Sequence, residues 1–181
     1  MTSRANHRAF TSLCRNWLSG MIALCVIAAS FPRPALALDP IAAENARRTI
    51  QSWLACSTCD SEELKPVVEV GKDAELGSDV VKSLRVALLD GPSDGDIELL
   101  RSHLRKSYER LSRSPTPPSR TLDVYVSDYE KNSVARYKKR AARALGAIGG
   151  EQARQALEEA GNKPNAKDVE RTIQEALKNI R

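Results

Sequence analysis

The sequence predicts an all-α fold in which stacked helical hairpins form an α–α superhelix. Apolar residues recur at helical spacing through almost all of residues 38–181. Two helical segments near the C-terminus match each other at an offset of 32 residues, a period typical of stacked repeat arrays. Only 4% of the residues are aromatic, so the core is expected to consist mainly of Leu, Ile, Val and Ala.

The N-terminal segment, residues 1–37, has the organisation of a secretory signal peptide. Three arginines and no acidic residue precede an uncharged apolar stretch over 17–30, and a proline-containing break then leads to small residues ending at Ala37. The apolar stretch is shorter than the about 20 residues of a membrane-spanning helix. We expect cleavage after Ala37, a periplasmic or secreted location, and no stable membrane span after signal removal. The alternative is an uncleaved anchor.

Most of the excess positive charge lies in this predicted signal peptide. The whole chain has a formal net charge of +5, but four of its 28 Lys and Arg and none of its 23 Asp and Glu precede Leu38. Residues 38–181 therefore have a net charge of +1. A near-neutral exported chain is a poor candidate for binding nucleic acid. Its length is sufficient for a core that needs no metal or disulfide to fold.

Four helices are predicted before a proline-rich segment. The first occupies 41–56, and the second opens at a capping box over 60–63 and stops at Gly71. The third is capped by Ser78, and the fourth runs over about 94–112. The predicted core positions are Ile41, Ala46, Ile50, Trp53, Leu54, Leu64, Val67, Val68, Val80, Val81, Leu84, Ala87, Leu88, Ile97, Leu100, Leu104, Tyr108 and Leu111.

The segment 114–119 contains three prolines and is predicted to be an irregular surface connection. Apolar residues in 121–132 alternate as in a strand, but Leu122, Tyr125 and Tyr129 also share one helix face. We favour a helix, because the chain offers no second strand to pair with it.

Three further helices are predicted in the C-terminal part: 133–148, 151–160, and a last helix that follows a second capping signature at Asn165 and Asp168. Glycines end the first two of them. The positions that match at the offset of 32 are Tyr137 with Val169, Ala141 with Ile173, Ala144-Leu145 with Ala176-Leu177, and Ile148 with Ile180.

The stretch over 136–150, RYKKRAARALGAIGG, and the following QARQAL over 152–157 resemble the short HEAT-like repeat. This type of repeat is also found in phycobilisome bilin lyases. The resemblance is clearest within 121–180, and 61–91 has the spacing of an earlier, degenerate unit. It implies an α-solenoid that binds other proteins. It does not imply lyase activity, because unrelated proteins share the repeat and a fold does not fix a function.

Cys56-Ser-Thr-Cys59 is the motif that most directly suggests a specific chemistry in this sequence. One interpretation is a local structural disulfide between the first and second helices, which an exported protein permits. The second is an exchanging dithiol, although the strand–helix–strand context of thioredoxins is missing. The third is half of a zinc site, for which His103 is the one additional soft ligand available. We predict no metal site.

Four cations in the 133–148 helix are the candidate partner-binding residues: Arg136, Lys139, Arg140 and Arg143. They are expected to lie opposite the apolar face of the helix. Such a group is either a solvated helix face or a concave basic patch for an acidic protein or a membrane headgroup.

Together, these features predict an exported, non-catalytic HEAT-like repeat scaffold that binds another protein in the cell envelope. No cofactor is expected, and no catalytic constellation is apparent in the sequence. The alternative is a thiol–disulfide redox factor that uses Cys56 and Cys59.

Overall fold

The computed structural model describes residues 40–56 and 64–180, which contain seven helices and no strand. The predicted all-α fold is confirmed for this part of the chain. The helices are α1 Pro40–Ala55, α2 Lys65–Gly71, α3 Gly77–Asp90, α4 Asp94–Ser112, α5 Leu122–Ile148, α6 Gly150–Gly161 and α7 Lys167–Asn179.

The caps of the helices differ in part from those predicted. The predicted capping box at 60–63 lies outside the described residues. Before α3, the Asp73 carboxylate accepts hydrogen bonds from the backbone N–H groups of Glu75 and Leu76 at 2.8 and 2.9 Å. The prediction that Ser78 caps this helix is wrong, because α3 already begins at Gly77. Ser93 caps α4 by accepting from the N–H of Asp96 at 3.2 Å.

The prediction that Asn165 and Asp168 cap the start of the last helix is also wrong. The Asn165 side-chain amide donates to the carbonyls of Ala160 and Lys163 at 2.8 and 3.0 Å. It therefore closes the end of α6, and the N-cap residue of α7 is Ala166, without a side-chain cap.

The segment 121–132 is helical, as predicted, and it continues without a break into 133–148. The two predicted segments form one helix of 27 residues, α5. No proline or glycine interrupts it before Gly146, so nothing in the sequence requires a break at 132. Gly149 and Gly150, with φ of 73° and 81°, end α5 and start α6.

The long helix α5 is the centre of the fold, because every other helix packs against it. Its Ala141, Ala144 and Leu145 are fully buried in a core that includes most of the apolar positions predicted before the proline-rich segment, whereas Leu64, Val68, Ile97, Leu100 and Tyr108 are half-buried. Two predicted core positions are wrong: Ile41 is 70% exposed in the first turn of α1, and Leu111 is 42% exposed near the end of α4.

Helix α4 packs on the N-terminal half of α5. The Arg101 guanidinium donates to both Glu130 carboxylate oxygens, each at 2.8 Å. Further along this hairpin, the rings of Tyr108 and Tyr125 have centroids 5.4 Å apart, and the Tyr108 hydroxyl donates to the Arg120 carbonyl at 2.7 Å. An ion pair and an aromatic contact therefore hold α4 in place.

We expect Glu130→Gln to loosen α4 without unfolding the protein. The hydrogen bond from Arg101 holds the pKa of Glu130 below its ordinary value, so the pair stabilises the fold above the unfolded-state pKa of about 4.3. The stabilisation is lost as pH falls through the lower, folded-state pKa. Hydrogen exchange at neutral pH should rise a few-fold in α4 and not in α7.

The matched control is Glu98→Gln, because Glu98 is exposed and lies 3.5 Å from Arg101 at its nearest approach. The stability difference between the wild type and Glu130→Gln should shrink below about pH 4. Equal exchange in the two variants, or a difference that persists in acid, would contradict a role for this pair.

Candidate protein-binding groove

A groove of about 1240 Å³ lies between α1, α3, α4 and the middle of α5, and we call it the α1–α4 groove. Apolar side chains from all four helices line it. They are Ile50 and Leu54 of α1, Val86 and Ala87 of α3, Ile97, Leu99 and Leu100 of α4, and the ring of Tyr137 of α5.

Two of these apolar residues are exposed to solvent. Val86 is 53% exposed and Leu99 is 59% exposed, whereas Ile50 and Leu54 beneath them belong to the buried core. A groove that combines exposed apolar side chains with charged residues is a candidate site for a partner protein. The groove therefore has an apolar floor that continues from the core and apolar residues that remain open at its walls.

The charged residues of the groove are unevenly distributed. Asp90, Asp94 and Asp96 lie together where α3 turns into α4, while Arg47 and Arg136 come from α1 and α5. The pKa of Tyr137 is raised, first by burial and then by the nearby Asp96 carboxylate, so its phenol stays neutral. Carboxylates thus outnumber cations, and they occupy one side of the groove.

The structure separates the four cations that the sequence predicted as one patch. Arg136 is exposed, lines the groove, and forms no salt bridge with any described residue. Arg143 is exposed further along α5. Lys139 is half-buried and pairs with Asp168 of α7, with 2.6 Å between Nζ and Oδ2.

Arg140 does not lie on an exposed face, and the expectation that it does is wrong. It is 7% exposed, and its Nη1 donates to the carbonyls of Trp53 and Leu54 at 3.1 and 3.2 Å. Its guanidinium carbon lies 5.9 Å from the centroid of the Trp53 ring. Arg140 thus binds the C-terminal end of α1, where carbonyls lack helical partners and the helix dipole favours a cation.

Lys138 binds the C-terminal end of α3 in the same way, a role that the sequence analysis did not predict. Its Nζ donates to the Leu89 carbonyl at 2.7 Å, in the last turn of that helix. Partial burial lowers the pKa of Lys138. Two neighbouring cations of α5 therefore fix the ends of α1 and α3, the two helices that form walls of the groove.

The cysteine motif is only partly described. Cys56 is half-buried directly after α1, and its N–H donates to the Ser52 carbonyl at 3.0 Å. Cys59 lies outside the described residues, so the disulfide and redox interpretations stay predictions. His103 is exposed on α4 and lines the same groove as Leu54 and Ala55 at the end of α1.

Within 40–56 and 64–180, no group of three or more His, Cys, Asp or Glu side chains is arranged to hold a metal ion. Nor does this part of the chain contain a helix both long and apolar enough to cross a membrane. Comparisons of the chain with protein families, with curated proteins and with solved structures gave no match.

Proposed function

We propose that this chain is an exported, non-catalytic scaffold of HEAT-like helical repeats that binds another protein in its α1–α4 groove. The observation that carries the proposal is the groove itself, with Val86 and Leu99 open to solvent above a floor that continues from the core. An apolar surface of this kind is stabilised when a partner covers it.

The order in which the helices pack supports the repeat. The helices α2 and α3 form one pair, the C-terminal half of α5 and α6 form the next, and α7 begins a third. Each pair contacts the following one, with α2 and α7 on α5 and α3 on α6. Contact between sequential neighbours is the pattern of a stacked array. In this arrangement, α4 and the N-terminal half of α5 are an insertion between the first two pairs.

Burial at the matched positions also supports the repeat. At the offset of 32 residues, Ala141 corresponds to Ile173, and Ala144 corresponds to Ala176, and all four side chains are buried. A repeat unit hides its apolar face against its neighbours, so equivalent positions are expected to be buried in each unit.

Site-specific photo-crosslinking in the cells that produce the protein tests the proposed function. A photoreactive residue in place of Leu99 is expected to give discrete adducts with a partner protein. The same residue in place of Gln174, which is exposed on α7 and outside the groove, is the matched control. Adducts at both positions alike, or none at Leu99, would contradict binding in the groove.

Two additional measurements on the same cells sharpen the result. Arg136→Glu should reduce the Leu99 adducts, whereas Arg154→Glu, a reversal at an exposed site on α6 outside the groove, should not. N-terminal sequencing of the recovered protein should start at Leu38 if the predicted signal peptide is removed. A start at the initiator methionine would contradict processing and leave the crosslinking result to be judged separately.

A further inference from the structure

We infer that the α1–α4 groove binds an amphipathic α-helix of its partner, with the apolar face of that helix on the groove floor and its basic side chains against Asp90, Asp94 and Asp96. This inference rests on the proposed function and specifies the chemistry of the partner. It reverses the partner charge that the sequence suggested, because Lys139 and Arg140 are engaged within the fold and three carboxylates line the groove.

The shape of the groove favours a helix over other ligands. Its α4 wall, from Asp94 to His103, contains ten residues and is therefore about 14 Å long. This length matches about ten residues of a partner helix, which present apolar anchors at positions such as i, i+3 and i+7. An extended peptide adds to the edge of a sheet, and the described residues contain no strand. Pockets for small ligands are typically smaller, at about 300–1,000 Å³.

The apolar side chains are positioned for such anchors. Leu99 and Val86 project from opposite elements, α4 and α3, and both remain more than half exposed. Ala87, a buried core residue, and the half-buried Leu100 line the groove next to them in sequence. A leucine-bearing helix face is therefore the complement of this floor.

The charges of the groove determine which residues are favoured beside the apolar face of the bound helix. Asp90 and Asp94 form no salt bridge with a described residue, and the Asp96 carboxylate accepts a hydrogen bond from the Ser93 hydroxyl at 2.7 Å. Carboxylates at the turn between α3 and α4 attract Lys and Arg of a ligand and repel its acidic groups, although Asp90 already interacts electrostatically with Arg85 and Lys138. Arg47 of α1 and Arg136 of α5 also line the groove and favour an acidic residue of the ligand beside them.

Three synthetic helical peptides of 14 residues test this inference in a fluorescence-anisotropy titration against the purified protein. All three consist otherwise of residues with high helix propensity. The first has leucines on one face and lysines beside them, the second replaces the lysines with glutamates, and the third replaces the leucines with serines. The lysine peptide should bind about tenfold more tightly than the glutamate peptide, which corresponds to about 1.4 kcal/mol. The serine peptide should not bind.

Protein variants locate the interaction. Leu99→Ser should abolish binding of the lysine peptide. Asp90→Asn combined with Asp94→Asn should weaken it several-fold and reduce its dependence on salt. The matched control is Glu75→Gln combined with Glu170→Gln, which removes two exposed carboxylates outside the groove and should leave affinity unchanged.

Equal affinities for the lysine and glutamate peptides, or equal effects of the two double variants, would overturn the inferred partner chemistry. So would failure of all three peptides to bind. If Leu99 adducts still form in cells in any of these cases, the groove binds a partner of different chemistry and the proposed function stands. If no adducts form, the proposed function fails with it.

Discussion

Replacing Arg140 with methionine is expected to lower the free energy of unfolding by about 2–3 kcal/mol. The substitution keeps a long side chain in the buried site but removes the donor that serves the Trp53 and Leu54 carbonyls. Hydrogen bonds from a charged group contribute about 1.5–3 kcal/mol, and leaving a buried acceptor unsatisfied adds to the loss. Urea unfolding followed by circular dichroism gives the change directly.

The control for this substitution is Arg143→Met, three residues along the same helix. Arg143 is exposed, so its replacement should change the free energy of unfolding by less than about 0.5 kcal/mol. Arg140→Lys should lie between wild type and Arg140→Met, because an ammonium keeps the charge but not the planar fork of donors. Equal stabilities for the two methionine variants would rule out a structural role for Arg140.

Hydrogen exchange should show where the stability is lost. In Arg140→Met, amides of α1 should exchange faster, and Trp53 fluorescence should shift towards that of a solvent-exposed indole. Because α1 forms a wall of the groove, binding of the lysine peptide should weaken in this variant although Arg140 does not line the groove.

The helices were predictable because their apolar periodicity is strong and clear signals end them. The fourth helix has the predicted bounds, between its Ser93 cap and the proline-rich segment. The segment 121–132 was assigned correctly because the sequence contains no second strand pattern that could pair with it. Its continuity with the next helix was missed because the repeat-like pattern begins only after it, although no proline or glycine marks a junction at 132.

The position of Arg140 was missed because a run of cations was interpreted as one solvated face. A signal was nevertheless present. Arg140 is three residues after Tyr137 and four before Ala144, so it borders the apolar face of the helix. At the offset of 32 it corresponds to Thr172, which is also buried. A charged residue is a candidate for an internal contact when the position that matches it in another helix is buried.

The groove could not be predicted from periodicity, because it joins residues of four helices across nearly one hundred positions of the chain. Its exposed apolar residues can nevertheless be recognised in the sequence. Val86 and Leu99 fall outside the apolar stripes predicted for α3 and α4. Such residues contribute to no predicted core, and here both line the same groove.

Gly146→Ala is expected to destabilise the protein by about 1–3 kcal/mol, although alanine has the higher helix propensity. Gly146 is buried where α5 crosses α7, and an added Cβ would lie 2.8 Å from the Cβ and 3.0 Å from the Cα of Ala176. Because one of these atoms is backbone, relief requires the helices to separate. Overpacking of this kind typically costs about 1–3 kcal/mol, which outweighs the about 1 kcal/mol gained in propensity.

Gly161→Ala provides the matched control, since Gly161 also lies in a helix at a contact with α7. An added Cβ there would be 3.7 Å from Cγ2 of Ile173, an ordinary van der Waals distance. This variant should be neutral or slightly more stable in urea unfolding. A similar loss in both variants would show that the cost at Gly146 does not arise from the close approach to Ala176.

A double-mutant cycle assigns the cost to the contact between the two helices. Ala176→Gly removes the nearest of the clashing atoms, so Gly146→Ala should destabilise the Ala176→Gly background by at least about 0.5 kcal/mol less than it destabilises wild type. An additive cycle would contradict the proposed contact. The close approach of α5 and α7 then explains why a glycine occupies position 146, since a side chain there would force the two helices apart.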